Sequence, residues 1–178
     1  MKTLLGIIAL CAALFAAYTL HANARHREFV ASMKEQHRGY RLEHFANEKL
    51  LFLHGPDGSR QGMPLQRKCI EEVVLTKTLA SENTFNKDLY QWQVRYARSV
   101  RPDQPHAWIR PTFMVPYFAV DPREFLGILR RELPEIEVEP ALELAGRLER
   151  DDCVGCVVWS HPQFDAKRPE PLPGMLCS

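Results

Sequence analysis

The sequence lacks the short motifs that mark the common nucleotide-binding and hydrolytic sites. It contains no G-x-G-x-x-G or P-loop run for phosphates, no G-x-S-x-G nucleophile elbow and no H-E-x-x-H zinc helix. Its histidines have no spacing typical of a metal site, and no internal repeat occurs. The sequence therefore favours a binding protein over an enzyme, without deciding between the two.

The sequence also has no excess of charge of either sign. It carries 23 Lys and Arg against 22 Asp and Glu, a formal net charge of +1, so nothing indicates a nucleic-acid partner. The charge is unevenly distributed: residues 25–68 have nine basic and five acidic residues, a net of +4, and residues 122–178 have seven and eleven, a net of −4. We expect the basic residues that directly follow the apolar N-terminal segment to contact anionic lipid head groups. These residues are Arg25, Arg27, Lys34 and Arg38.

Long apolar runs are rare in this sequence, and the one that occurs lies at the N-terminus. No charged residue interrupts the segment from Thr3 to Leu20. A transmembrane helix needs roughly 17–25 apolar residues, so this run is near the lower limit. A signal peptide also fits, because the run has a basic start and ends at the small-residue pattern Ala22-x-Ala24. We expect residues 1–24 to be a membrane anchor or a signal peptide, with residues 3–20 contacting lipid.

The flanks of the apolar run predict opposite orientations in the membrane. The basic residues after the run favour a cytoplasmic C-terminal domain by the positive-inside rule. The short basic start and the Ala22-x-Ala24 pattern favour export. We expect a single-pass membrane protein with an extracytoplasmic, periplasmic C-terminal domain. The alternatives are secretion after cleavage following Ala24 and a domain that faces the cytoplasm.

The rest of the chain has the length of one ordinary domain and alternates between strand-like and helix-like patterns. Amphipathic spacing predicts helices at 25–38, 122–133 and 140–150 and a helical or mixed segment at 40–48. Apolar alternation predicts strands at 49–54, 70–79, 90–96, 112–120, 135–139 and 154–159, with a helix as the alternative around Trp92. Asp121-Pro122 is a strong helix start. We expect an α+β fold with a mostly antiparallel sheet and packed helices, preceded by the N-terminal transmembrane or signal helix. The single domain covers residues 25–160, and a Pro-rich irregular tail covers 161–178.

Cysteine is scarce, and the positions of the five cysteines matter more than their number. Cys11 lies in the apolar run. The other four form an even set that in an oxidising compartment predicts two disulfides with three possible connectivities. In a reducing compartment the same four would be thiols or metal ligands. These four candidates are Cys69, Cys153, Cys156 and Cys177.

The C-x-x-C pair formed by Cys153 and Cys156 suggests a redox dithiol, half a zinc site or a disulfide. The acidic residues directly before the pair disfavour the thiolate that redox catalysis needs, and the residues after it predict a strand rather than a helix. Cys153-x2-Cys156-x4-His161 resembles the first three ligands of a retroviral-type zinc knuckle, which implies zinc as the cofactor. The fourth ligand position holds Ala166, so the match is incomplete.

These observations lead to one main expectation and one alternative. We expect a small membrane-anchored envelope protein whose extracytoplasmic domain binds a protein partner, as an accessory subunit or assembly factor of a larger complex. The alternative is a thiol-disulfide or zinc-dependent protein that uses Cys153 and Cys156. No cofactor is expected outside that alternative, and no partner is identified by the sequence.

Overall fold

The computed structural model describes residues 2–78, 89–99, 108–148 and 155–163. It divides into two compact units, Met1–Arg38 and Gly39–Ser178. The first unit is helix α1 (Lys2–Gln36), which runs without a break across the boundary that the sequence predicts after residue 24. The helix is long and apolar enough to cross a membrane. Its large apolar side chains are exposed; those of Ile7 and Phe15, for example, are 60% and 70% exposed.

The second unit contains nine described strands, which form three antiparallel sheets, and two described α-helices. A three-stranded sheet has the order β1-β2-β3, a four-stranded sheet has the order β8-β5-β4-β9, and β6 pairs with β7. The predicted α+β fold is confirmed, and every described strand pair is antiparallel. The elements are β1 (Arg41–Phe45), β2 (Leu50–His54), β3 (Arg60–Pro64), β4 (Ile70–Thr78), β5 (Leu89–Tyr96), β6 (Arg98–Ser99), β7 (Trp108–Ile109), β8 (Thr112–Pro116), α2 (Pro122–Arg130), α3 (Val138–Leu148) and β9 (Gly155–Ser160).

One face of the four-stranded sheet forms the main core. In β5 the residues alternate between buried and partly exposed, so Trp92 and Val94 are fully buried while Gln93 is not. This period of two is the strand pattern that the sequence predicts, and a helical reading of the same residues is wrong. The Trp92 ring lies 5.8 Å from the ring of Phe125 on α2, measured between centroids. The sheet and α2 therefore share one aromatic core.

Helix α2 begins where the sequence predicts. The Asp121 carboxylate accepts a hydrogen bond from the Arg123 backbone N–H at 2.9 Å, and Pro122 occupies the first helical turn. An oxygen at this cap satisfies one of the backbone N–H groups that a helix start leaves unpaired. The apolar side of α2 is buried through Phe125, Leu126, Ile128 and Leu129.

Two predicted elements are wrong, and three strands, β3, β6 and β7, are missed. The segment 40–48, predicted as helical or mixed, contains strand β1, because its backbone pairs with β2. The segment 135–139, predicted as a strand, is irregular until α3 begins at Val138, and Pro140 lies in the first turn of that helix. Strand β3 has no alternating pattern that would predict it. The predicted loop at 101–106 and residues 164–178 of the tail lie outside the described residues.

The side chain of Gln61 connects the three-stranded sheet to the edge of the four-stranded sheet. Its amide nitrogen donates to the Thr112 carbonyl oxygen at 3.1 Å, and its amide oxygen accepts from the Met114 N–H at 3.3 Å. The side-chain amide of Gln61 therefore links β3 to β8, two strands whose backbones are not paired with each other. The link fixes β3 beside the larger sheet and holds the surface of the smaller sheet in place.

Candidate functional site

The structure separates the predicted cysteine candidates that it describes. Cys69 is completely buried just before β4, and its sulfur lies 3.1 Å from the Gln66 carbonyl oxygen. Cys156 is a half-exposed thiol on β9, where it pairs in register with Leu75 of β4. Cys153 and Cys177 lie outside the described residues. The two described candidates therefore occupy different ends of the β4–β9 pair.

The strand register excludes one of the three disulfide connectivities. Six residues of β4 separate Cys69 from Leu75, the partner of Cys156. At a rise of roughly 3.3 Å per residue this is about 20 Å. A disulfide requires Cα atoms within about 7 Å of each other. Cys69 and Cys156 therefore cannot be joined in this fold.

The arrangement also contradicts a zinc site that uses Cys156 and His161 together. The chain between them is strand β9, so their Cα atoms lie roughly 15 Å apart at the rise of an extended strand. Zinc ligands must lie within about 2.3 Å of the same ion, which this spacing prevents. Within the described ranges, no group of three His, Cys, Asp or Glu side chains could hold a metal. Cys156 and His161 therefore cannot both bind one zinc ion while β9 is formed.

The predicted lipid-contacting residues lie on and directly after α1. Arg25, Arg27 and Lys34 are exposed on the helix. Arg38 follows it and forms an exposed ion pair with Glu35 at 3.3 Å. An exposed pair of this kind contributes little to stability, so it does not prevent Arg38 from contacting another anion. The lipid contact itself stays a prediction.

A buried carboxylate that the sequence analysis did not single out lies on β4. Glu71 is 1% exposed, and one of its oxygens accepts a hydrogen bond from Arg110 Nε at 3.0 Å. The other oxygen, Oε2, is buried and has no hydrogen-bond partner among the described residues. The guanidinium of Arg110 also lies over the Trp108 ring at 5.2 Å. Because Glu71 is sealed from solvent, its geometry fits a structural link between β4 and the β7–β8 connection better than contact with a substrate.

A more exposed polar group lies around the end of β9. Arg67 pairs with Glu135, and its hydrogen bond lowers the pKa of the Glu135 carboxyl. Burial, followed by the nearby Arg67 guanidinium, lowers the pKa of His161. His161 is thus favoured in its neutral form, and β9 separates it from Cys156, the described candidate on the same strand. We find no nucleophile in this group, so it offers no complete catalytic arrangement among the described residues.

The surface of the three-stranded sheet contains an open apolar groove with a volume of about 340 Å³. Ligand sites are typically concave and mostly apolar with a few polar groups, and this volume lies near the lower end of their usual range. We call this feature the groove. Its lining residues are Leu50, Phe52, Gly62, Met63, Pro64 and Arg98.

The shape of the groove depends on close contact between β2 and β3. Phe52 pairs in register with Gly62, and a Cβ atom added to Gly62 would lie 2.4 Å from Phe52 Cε1. Only glycine therefore lets the Phe52 ring lie flat over β3 at this position. The guanidinium carbon of Arg60 lies 3.7 Å from the centre of the same ring, a close cation–π contact.

The sequence analysis missed the groove as a site. Its residues come from β2, from the unpredicted β3 and from Arg98 on β6, and sequence order gives no reason to bring them together. The net charge of +4 over residues 25–68 is the one signal that pointed to this part of the chain. We attributed that charge to the helix flank, whereas Arg41 and Arg60 place part of it on the three-stranded sheet.

Comparisons with known proteins give no family for this chain: no family model, no curated protein and no solved structure matches it. The class that the structure defines is therefore an α+β domain that follows one long apolar helix. Function has to be argued from the helix and from the surface of the domain.

Proposed function

We propose that this protein is a small membrane-anchored envelope protein. Its α+β unit lies outside the cytoplasm and binds a partner protein, as an accessory subunit or assembly factor of a larger complex. Lipid contacts residues 3–20, and the basic residues that follow lie near the head groups. No enzymatic role is part of the proposal.

The exposed apolar surface of α1 is the observation that carries this proposal. Apolar side chains at residues 7, 8, 10, 14, 15 and 20 are each about 60–70% exposed, and they point in all directions around the helix. An apolar surface of this extent is unfavourable in water and marks a region that contacts lipid or protein. A helix that is apolar all round is typical of a membrane span.

The groove supports a binding role for the second unit. It combines apolar lining residues with the exposed guanidinium of Arg98. The described carboxylate that comes closest to a catalytic arrangement, Glu71, is buried and paired with Arg110. The groove therefore offers recognition chemistry, which supports a binding role.

Purification in a mild detergent tests the proposed accessory role. We expect the full-length chain to be recovered from native membranes in a complex much larger than its 20.5 kDa mass. Blue native electrophoresis followed by mass spectrometry of the co-purified proteins measures this. A chain whose α1 is retained but which migrates only as a monomer at every detergent concentration would contradict the proposal.

The exported topology makes a separate prediction about the cysteines. We expect a disulfide between Cys69 and Cys177, because export exposes the thiols to a disulfide-bonded oxidant that takes up their electrons. The register places Gly155 beside Thr76, seven strand residues from Cys69, and Cys153 precedes Gly155 by two residues. Even a fully extended link leaves Cys153 at least about 10 Å from Cys69, beyond disulfide range.

Peptide mapping under non-reducing conditions measures this bond. Cys177→Ser should leave Cys69 open to alkylation after denaturation, whereas Cys11→Ser should leave the bond intact. Alkylation of both Cys69 and Cys177 in the denatured wild-type protein would place the domain in a reducing compartment and contradict the proposed topology. A bond between Cys69 and Cys153 would contradict the register argument instead.

A further inference from the structure

We infer that the groove binds an extended segment of the partner protein in which an apolar side chain is flanked by acidic residues. The inference rests on the proposed function and adds the chemistry of the partner. It is carried by the charges around the groove, the shape of its apolar floor and the absence of an internal competitor among the described residues.

Several arginines of the second unit are already paired with carboxylates, whereas the two at the groove are not. Arg67, Arg95 and Arg110 each form an ion pair with a glutamate of the same unit, and so does Arg123. Arg60 and Arg98 have no carboxylate partner in the part of the chain that the structure describes. Two guanidinium groups beside one apolar groove therefore remain available to an anion.

The Arg60 guanidinium is already positioned for a carboxylate. Its planar face stacks on Phe52, so its N–H donors lie around the rim of that plane and stay accessible. Stacking also reduces the side-chain freedom that would be lost on binding. A carboxylate beside the Phe52 ring could accept two parallel hydrogen bonds from this group.

The carboxylate of the partner would meet little competition on this surface. Glu43 is the one acidic residue within strands β1–β3, and its carboxylate is hydrogen bonded to His54 at 2.7 Å. The strand register lines up Arg41, His54 and Arg60 across the three strands. Arg41 and Arg60 therefore offer two guanidinium groups at this end of the sheet, where the carboxylates of Glu43 and Asp57 are already hydrogen bonded to His54 and Ser59.

The apolar part of the groove favours a protein segment over a lipid surface. Its lining includes Met63, which is 1% exposed, and the half-buried side chains of Leu50 and Phe52. A flat bilayer contacts side chains that protrude, whereas Leu50 and Phe52 are half-buried. A volume of about 340 Å³ can admit one large apolar side chain, with acidic neighbours reaching the arginines on the rim.

Binding of a labelled peptide to the full-length chain in an uncharged detergent tests this inference. The probe is a fluorescent peptide in which Leu and Phe alternate with Glu, and the comparison peptide has Lys in place of each Glu. Fluorescence anisotropy should show that the Glu peptide binds and the Lys peptide does not. The affinity for the Glu peptide should fall as the salt concentration is raised. Arg98→Glu and Arg60→Glu should each weaken binding roughly tenfold or more, since each places like charges together.

Arg130→Glu is the matched control, because Arg130 is an exposed arginine on α2 that lies away from the groove lining. It should change affinity less than about twofold. Phe52→Ala should abolish binding, and its far-ultraviolet circular dichroism reports whether it remains folded. Equal binding of both peptides, or groove variants that bind like the wild type, would overturn the inference. The inference would also be overturned if short-chain phosphatidylglycerol bound and the Glu peptide did not, because the groove would then be a lipid site.

The same variants separate this inference from the proposed function. If the full-length chain co-purifies with a large complex and Arg98→Glu leaves that complex intact, the groove is not the docking site although the accessory role stands. If no complex forms but the Glu peptide binds as expected, the accessory role fails and the groove chemistry is supported.

Discussion

Replacing Arg110 with alanine should destabilise the domain by about 3 kcal/mol, because it leaves the Glu71 carboxylate buried without its cation. Glu71 is 1% exposed, and its second oxygen already lacks a partner among the described residues. Among the described residues, Arg110 is the one side chain that donates a hydrogen bond to this carboxylate, at 3.0 Å. The expected value lies at the lower end of the range for broken buried pairs because the Arg110 side chain is 27% exposed and water can reach it. Urea unfolding followed by tryptophan fluorescence measures the change.

Arg95→Ala is the matched control for this prediction. Arg95 pairs with Glu72, the next residue along β4, but the Arg95 side chain is 44% exposed. Removing it should cost less than about 1 kcal/mol, as for other surface ion pairs. A double replacement of Arg110 and Glu71 by apolar residues should recover part of the loss, since it removes the uncompensated charge. Equal effects of Arg110→Ala and Arg95→Ala would show that burial of Glu71 does not control the stability of this link.

Local patterns predicted the elements whose residues determine their own structure. Asp121 and Pro122 specify a helix start by capping and by a fixed φ angle, and the helix begins there. The alternation around Trp92 predicts a strand because every second residue is buried. In both cases the signal lies within a few neighbouring residues, so a single sequence is sufficient to detect it.

The errors fall where partners distant in sequence decide the structure. β1 forms because Arg41–Phe45 pairs with β2, and β3 forms around Gly62 and Pro64, residues that are unfavourable in strands. The alternation at 135–139 resembles a strand, yet one apolar residue, Ile136, is buried and the chain then enters α3. No local pattern reports these pairings.

The candidate site could be predicted only in part, because its chemistry is visible in single residues but its geometry depends on strand pairing. The cysteines and His161 are visible in the sequence because their chemistry is distinctive, but the register of β4 and β9 decides which of them can meet. The groove needs β2, β3 and Arg98 to come together, and each contributes a residue that is ordinary alone. The burial of Glu71 was not predicted, because burial of a carboxylate cannot be read from its neighbours in sequence.

Replacing Trp92 with alanine should have the largest effect on stability of any single change in the sheet. Trp92 is fully buried, and its ring packs against Tyr117 and Phe125 at centroid distances of 5.9 and 5.8 Å. Removing a buried tryptophan side chain typically costs 3–5 kcal/mol, because transfer energy is lost and a cavity remains. For a domain of this size the midpoint of thermal unfolding should fall by about 10 °C. Differential scanning calorimetry measures this fall.

Trp92→Phe shows whether the loss comes from the aromatic packing. The indole Nε1 of Trp92 is buried and has no hydrogen-bond partner among the described residues. Phenylalanine keeps one ring against Phe125 and removes this unsatisfied donor, so two opposing changes partly cancel. We expect it to cost less than half as much as alanine, and Met114→Ala, at a position 44% exposed on β8, to cost less than about 1 kcal/mol. If Trp92→Phe destabilises the domain as strongly as Trp92→Ala, the indole nitrogen must be making a favourable contact, and the aromatic contact with α2 is not what holds the helix on the sheet.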